Sequence, residues 1–128
     1  MSTATVGTDA NFVQEVINVD GSVLVDFSGY FSGFWSEPCR TMAAMLEEIV
    51  ADCDGALKVV RVDVDEHNYL AAQHGIRSIP TLILYWDGRP VERIVGPLSK
   101  RRLMRVIGPY VGWVDIAPAM LDTAASVG

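Results

Sequence analysis

The chain contains two cysteines, Cys39 and Cys53, and their positions limit the chemistry that either thiol can perform. Pro38 is typical of the first turn of a helix, and the apolar spacing after it predicts one helix that ends before Gly55. The cysteines are 14 positions apart, which in a helix separates them by about 21 Å at ~1.5 Å per residue. A disulfide needs Cα atoms within about 7 Å of each other. We therefore expect no internal disulfide.

Cys39 has two interpretations. Backbone N–H groups and the dipole at a helix N-terminus favour a thiolate, which would make Cys39 a reactive single thiol. Burial disfavours the charged form and would make it inert. Cys53, at the end of the apolar helix, is expected to be merely packed.

Asp26 is the one carboxylate within an apolar run, Ser22 to Phe27, that predicts a buried strand. An ionised carboxylate in such surroundings is poorly solvated, so we expect its pKa to be raised. A group of this kind can accept a proton. The alternative is that strand alternation directs Asp26 toward solvent.

The order of predicted elements is βαβαβαββα, which indicates an α/β fold with a mixed central sheet flanked by helices on both faces. Asp87-Gly88 is a hairpin-turn signal, and Ser99 is a candidate helix N-cap. The predicted helices are Asp9 to Val19, Pro38 to Cys53, Glu66 to His74 and a last helix after Ser99 with Leu103, Val106, Ile107 and Tyr110 at helical spacing. The predicted strands are Ser22 to Phe27, Leu57 to Val64, Ile79 to Trp86 and Pro90 to Val95.

Five motifs occur together in one order: Val25-Asp26-Phe27, Trp-x-x-Pro-Cys at Trp35 to Cys39, Val62 to Asp65, Gly75 to Thr81, and Val95-Gly96. Over roughly Thr5 to Val111, this pattern resembles the thioredoxin family. The resemblance implies the thioredoxin fold and an active motif Trp-Cys-Gly-Pro-Cys, in which the first cysteine attacks a substrate disulfide and the second resolves the mixed disulfide.

The chain departs from that motif where the chemistry starts. Ser36 occupies the position of the attacking cysteine, Glu37 that of the glycine, and Cys39 that of the resolving cysteine. Exchange requires a thiolate, which a serine hydroxyl cannot replace. The ordinary dithiol cycle is therefore unavailable. The resemblance implies that Asp26 is the proton acceptor for Cys39.

The resemblance also implies a groove for an extended peptide of a protein partner. In the family the proline matching Pro80 is cis, and the residue before it, here Ile79, pairs its backbone with the peptide. The alternative is a trans proline at a strand edge. The expected binding residues are Trp35, Glu37, Pro38, Ile79, Pro80, Val95 and Gly96.

Four additional residues precede the motif. Ser28-Gly29-Tyr30-Phe31 is followed directly by Ser32-Gly33-Phe34-Trp35, a near-duplication that adds aromatic residues beside the groove. Exposed aromatic residues would enlarge a recognition surface, whereas inward-facing ones would fill space beside the sheet.

Composition excludes several other classes. The chain has 128 residues, of which 50% are hydrophobic, and a net charge of -6, which favours one globular domain over a disordered chain, a disulfide scaffold or a nucleic-acid binder. Residues 1–111 are expected to form the domain and 112–128 a C-terminal extension. We expect no cofactor, because His67 and His74 lack further metal-type ligands. With no visible targeting segment or membrane span, a cytoplasmic location is expected.

Two functions remain open, and the sequence does not decide whether the protein is an enzyme. One is a redox protein that acts through the single thiol of Cys39. The other is a redox-inactive module that binds peptides or proteins in the groove. A further alternative is an active thiol-disulfide oxidoreductase whose natural gene encodes cysteine where this sequence has Ser36.

Overall fold

The computed structural model describes residues 4–31 and 34–112, with the backbone alone at residues 30–31 and 34–35. Its strands are β1 (Thr5–Gly7), β2 (Ser22–Ser28), β3 (Tyr30–Phe31), β4 (Phe34–Trp35), β5 (Leu57–Asp63), β6 (Thr81–Trp86) and β7 (Arg89–Val95). Its α-helices are α1 (Glu37–Cys53), α2 (Asn68–Gln73) and α3 (Lys100–Ile107). A π-helical turn spans Val13–Ile17, and a 3-10 turn spans Gly108–Tyr110.

The main sheet is mixed, as predicted, with the strand order β1-β5-β2-β6-β7. β2 lies at its centre, parallel to β5 and antiparallel to β6. Every residue of β2 is buried, because both faces of this strand are covered. Asp26 is therefore placed in the middle of the protein interior.

Two apolar clusters cover the two faces of the sheet. The first packs α1 and α3 against one face through residues such as Leu46, Leu84 and Leu103. The second packs the π-helical turn and α2 against the other through residues such as Phe12 and Leu70. Helices on both faces confirm the α/β layer prediction.

The first predicted helix is shorter than expected. In place of a helix over Asp9 to Val19, the structure has a turn and then the π-helical segment, entered through reciprocal bonds between Thr8 and Asn11. Phe12 and Val16 are buried, but Val13 is 59% exposed. The apolar spacing predicts too long a helix because only two of its four apolar residues, Phe12 and Val16, pack against the sheet. The first strand of the predicted order is β1.

Several chain reversals follow the local sequence. Asp87 and Gly88 both adopt positive φ, 50° and 81°, as the hairpin-turn signal predicts. A Cβ on Gly88 would lie 2.4 Å from the Ile17 carbonyl oxygen, so this turn also needs glycine for space. The Ser99 hydroxyl accepts a hydrogen bond from the Arg102 N–H at 3.2 Å, which confirms the predicted N-cap.

The near-duplicated segment forms a separate two-stranded sheet. β3 and β4 pair antiparallel, with Tyr30 opposite Trp35 and Phe31 opposite Phe34. Whether these aromatic side chains are exposed lies outside the described part of the chain. The backbone alone shows that the four additional residues add a hairpin between β2 and α1.

Candidate functional site

The candidate site forms at one end of the strands of the main sheet, where several elements begin or end. Phe27, near the end of β2, is opposite Thr81, the first residue of β6. Thr81 is in turn opposite Val95, the last residue of β7. The loop before β6 and the loop after β7 are therefore adjacent. The β3-β4 hairpin and α1 follow the end of β2 at the same end of the sheet. This topology brings together the motifs that are far apart in the sequence.

Ser36 and Cys39 lie in the first turn of α1. Ser36 is the N-cap residue, its side chain accepts no capping hydrogen bond, and it is partly exposed. Glu37 and Pro38 follow it on the exposed surface. Cys39 is only 1% exposed. The exposed position of the turn therefore carries a hydroxyl, and the thiol is in the interior.

Both cysteines are free. They occupy opposite ends of α1, since Cys39 is its third residue and Cys53 its last. The expectation that no internal disulfide forms is confirmed by this helix.

Asp26 is fully buried, and two side chains hold its carboxylate. The Ser28 hydroxyl donates a hydrogen bond to Oδ1 at 2.6 Å. The Arg61 Nε–H donates to Oδ2 at 3.4 Å from β5, where Arg61 is directly opposite Asp26. Burial raises the pKa of Asp26, while the bond from Ser28 and the charge of Arg61 oppose this rise. The alternative of a solvent-facing Asp26 is excluded.

Sequence reasoning missed Ser28 and Arg61 as partners of Asp26. A signal for Ser28 was present, because residues two apart in a strand share a face. The position of Arg61 opposite Asp26 depends on the register between β2 and β5, which the sequence of neither strand specifies.

The peptide bond between Ile79 and Pro80 is cis, which confirms the expectation and excludes the trans alternative. Two hydrogen bonds fix this loop. The Thr81 hydroxyl donates to the Ser78 carbonyl at 2.6 Å, and the Gly96 N–H donates to the Pro80 carbonyl at 2.9 Å. The second bond joins Pro80 to the turn after β7.

Two features of this loop remain open to a partner. Val95 is 57% exposed beside Pro80. Within residues 4–31 and 34–112, neither the N–H nor the carbonyl of Ile79 forms a backbone hydrogen bond. Ile79 also borders a depression of about 340 Å³. Its other lining residues are Val64, Asn68, Ala71, Ala72, Ile76, Arg77 and Ser78.

Comparison with known proteins identifies the family. The thioredoxin family model matches residues 3–108. Thioredoxin 1 of Nostoc sp. (strain PCC 7120) is 42% identical over 111 residues, covering 87% of this chain and 100% of that protein. Thioredoxin 1 of Synechococcus elongatus is 40% identical over 111 residues, with the same coverage of 87% and 100%. Thioredoxin of Pseudomonas aeruginosa is 42% identical over 96 residues, 75% of this chain and 85% of that protein.

The chain belongs to the thioredoxin family. Within this thioredoxin fold, the structure brings Ile79, Pro80, Val95 and Gly96 together and places Ser36 at the surface of the same end of the sheet. Of the other predicted groove residues, Glu37 and Pro38 lie on the exposed surface beside Ser36, and the side chain of Trp35 lies outside the described part of the chain. Asp26 and Cys39 are both buried, and their catalytic role stays a prediction.

In residues 4–31 and 34–112, no group of three or more His, Cys, Asp or Glu side chains could hold a metal ion. The same residues include no helix that is long and apolar enough to cross a bilayer.

Proposed function

We propose that this thioredoxin-like protein is a redox-inactive binding module that holds an extended segment of a protein partner beside Ile79 and Pro80. The observation that carries the proposal is the difference between the two halves of the site. At the start of α1, the exposed position is Ser36 and the thiol of Cys39 is buried. At the cis-proline loop, Val95 is exposed and Ile79 is partly exposed.

The loss of the dithiol cycle follows from the chemistry of exchange. A thiolate attacks a disulfide sulfur and forms a mixed disulfide, which a second thiol then releases. Ser36 has no thiol, and its hydroxyl is not ionised at neutral pH. Cys39, at 1% exposure, is not accessible to the disulfide of a partner. The same burial disfavours a monothiol function of Cys39.

The binding half of the site supports backbone recognition. An extended peptide can donate to the carbonyl and accept from the N–H of Ile79, which has no such partner in the described residues. Val95 offers an exposed apolar contact, and the depression that Ile79 borders offers a second place for a side chain of the peptide. The partner is thus expected to present an extended segment with apolar side chains, and the protein is expected to act in the cytoplasm.

A binding experiment tests the proposal. Linear 12-residue peptides are selected from a random phage-displayed library against the full chain, and the affinity of each selected peptide is measured by fluorescence anisotropy. Cys39→Ser is expected to bind within about twofold of the wild type, because the thiol takes no part. Val95→Asp is expected to weaken binding at least about tenfold, or 1.4 kcal/mol, because it places a charge in the apolar contact.

Val6→Asp is the matched control. Val6 is also an exposed valine of an edge strand, at 70% exposure against 57% for Val95, but it lies on β1 at the opposite edge of the sheet. Amide exchange at Ile79 is expected to slow in the complex. The proposal is wrong if no peptide is selected, or if both aspartate variants weaken binding equally.

A reductase assay tests the lost chemistry separately. With dithiothreitol as the electron donor and insulin as the substrate, the wild type is expected to give no rate above background. Ser36→Cys restores a pair of thiols three residues apart in the first turn of α1 and is expected to gain turnover. Wild-type turnover would instead support the monothiol function. A cysteine codon at position 36 of the natural gene would support the remaining alternative, an active oxidoreductase.

A further inference from the structure

A second exposed surface lies at the end of the sheet opposite to the cis-proline loop. Trp86, the last residue of β6, is 47% exposed. Its ring centroid lies 6.3 Å from that of Tyr110. Arg89 is exposed and is directly opposite Trp86 in the β6-β7 pairing. We call Trp86, Tyr110 and Arg89 the Trp86 surface.

Hydrogen bonds hold this surface in place. The Ser22 hydroxyl donates to the Tyr110 carbonyl, which ties the turn after α3 to the start of β2. The Asp87 N–H donates to the Gly21 carbonyl at 2.9 Å, and the Gly21 N–H donates to the Asp87 carboxylate at 2.6 Å. The Trp86 surface is therefore a fixed platform, about 17 Å from the cis-proline loop at ~3.3 Å per strand residue.

The C-terminal segment, residues 113–128, follows Gly112, the last described residue, which comes two positions after Tyr110. A chain that starts at Gly112 can reach the platform within a few residues, at about 3.3–3.6 Å per extended residue. The family model ends at residue 108, before this segment begins. The segment carries six large apolar residues: Trp113, Val114, Ile116, Met120, Leu121 and Val127.

The charges of the segment and of the platform are complementary. The only charged side chains in residues 113–128 are Asp115 and Asp122. Arg89, on the platform, has no ion-pair partner among residues 4–31 and 34–112. An aspartate of the segment can satisfy Arg89 while the apolar residues cover the two rings.

We propose that the C-terminal segment docks on the Trp86 surface of its own chain, with apolar side chains against Trp86 and Tyr110 and a carboxylate beside Arg89. Three observations together favour this segment as the occupant of the Trp86 surface: the point where it starts, its apolar residues and its charge. The inference is independent of the proposed function, because the two surfaces are at opposite ends of the sheet.

Paramagnetic relaxation in the full chain tests this docking. A nitroxide is attached to Thr123→Cys, and the native thiols do not compete because Cys39 and Cys53 are 1% and 5% exposed. The indole N–H signal of Trp86 is expected to lose at least about half of the intensity that it has when the nitroxide is reduced. The loss is expected because the unpaired electron of a docked label broadens signals of nearby protons. The amide of Ile79 serves as the more distant reference and is expected to lose much less intensity than the Trp86 signal.

Matched variants identify the contact. Leu121→Asp puts a charge on the apolar contact and is expected to restore the Trp86 signal, whereas Ala124→Asp adds the same charge to the same segment and is expected to leave the broadening in place. Arg89→Glu is expected to reduce the broadening, because it repels the aspartates. Equal effects of the two segment variants overturn the proposal, as does an unbroadened Trp86 signal.

A mixing experiment separates the chain's own segment from that of a second copy. Isotope-labelled protein without the nitroxide is mixed with nitroxide-labelled protein without isotope. The Trp86 signal is expected to be unchanged in this mixture. If the broadening were as large as in the chain that carries both the isotope and the nitroxide, the contact would belong to a second molecule, and intramolecular docking would be overturned.

Discussion

The hydrogen bond between Ser28 and Asp26 allows a sharp test of the buried site. Ser28→Ala removes the hydroxyl that donates to Asp26 Oδ1 at 2.6 Å. Both residues are 0% exposed, so water cannot replace the donor. Removing one partner of a buried hydrogen bond costs about 1–3 kcal/mol, with the upper part of the range for a charged acceptor. At about 4 °C or more per kcal/mol, the melting temperature is expected to fall measurably.

The loss of unfolding free energy in Ser28→Ala is expected to depend on pH, and the ionisation of Asp26 determines whether this loss grows or shrinks as the pH rises. Burial raises the pKa of Asp26 above its ordinary value of 3.8, and the bond from Ser28 lowers it. At low pH the carboxyl is protonated and the variant loses only a neutral hydrogen bond, about 1 kcal/mol. As the pH rises through the pKa of folded Asp26, the wild type ionises with its donor present and the variant without it. The destabilisation by Ser28→Ala therefore grows with pH.

Ser22→Ala is the matched control on the same strand. Ser22 is also buried, at 6% exposure, and donates one hydrogen bond, but its acceptor is the uncharged Tyr110 carbonyl. Its cost is expected to stay constant with pH. Urea unfolding of both variants from about pH 4 to pH 9 measures the difference. The reasoning is refuted if the cost of Ser28→Ala is constant or decreases as the pH rises.

Two other features give direct predictions. Gly88→Ala places a Cβ 2.4 Å from the Ile17 carbonyl oxygen at a φ of +81° and is expected to cost about 2 kcal/mol or more by thermal unfolding. Gly55→Ala has a similar φ of +88° but nothing within 4 Å, so a cost below about 1.5 kcal/mol is expected, and equal costs would contradict the steric argument. Cys39 and Cys53 are expected to react with Ellman's reagent only after unfolding, and reaction of Cys39 in the native protein would contradict its burial.

Local sequence predicted those parts of the fold that depend on a few neighbouring residues. The Asp87-Gly88 turn and the Ser99 cap need only the backbone preferences of those residues. The resemblance supplied the cis bond before Pro80. The exposure of Val13 was not predicted, because it depends on how much of a short helical segment the sheet can cover.

The partners of Asp26 show the same limit within the site. Its burial followed from the apolar strand around it, since an apolar run covered on both faces has no solvent side. The role of Arg61 required the parallel register between β2 and β5. A shift of one residue in that register would place Val60 or Val62 opposite Asp26 and leave the carboxylate without its cation. Such a pairing depends on the entire sheet and is not encoded in either strand alone.

The two halves of the candidate site, the start of α1 and the cis-proline loop, are held by different interactions. A substitution in one half therefore need not change the structure of the other. The cis-proline loop is fixed by the Thr81 hydroxyl and by the Gly96 N–H on the Pro80 carbonyl. Neither bond involves α1. Ser36 caps α1 through its backbone position, and its hydroxyl takes part in no capping bond, so the residue type at this position can change at little cost to the helix. A cysteine at this position would serve thiol-disulfide exchange and would not be needed for the backbone recognition proposed for the cis-proline loop.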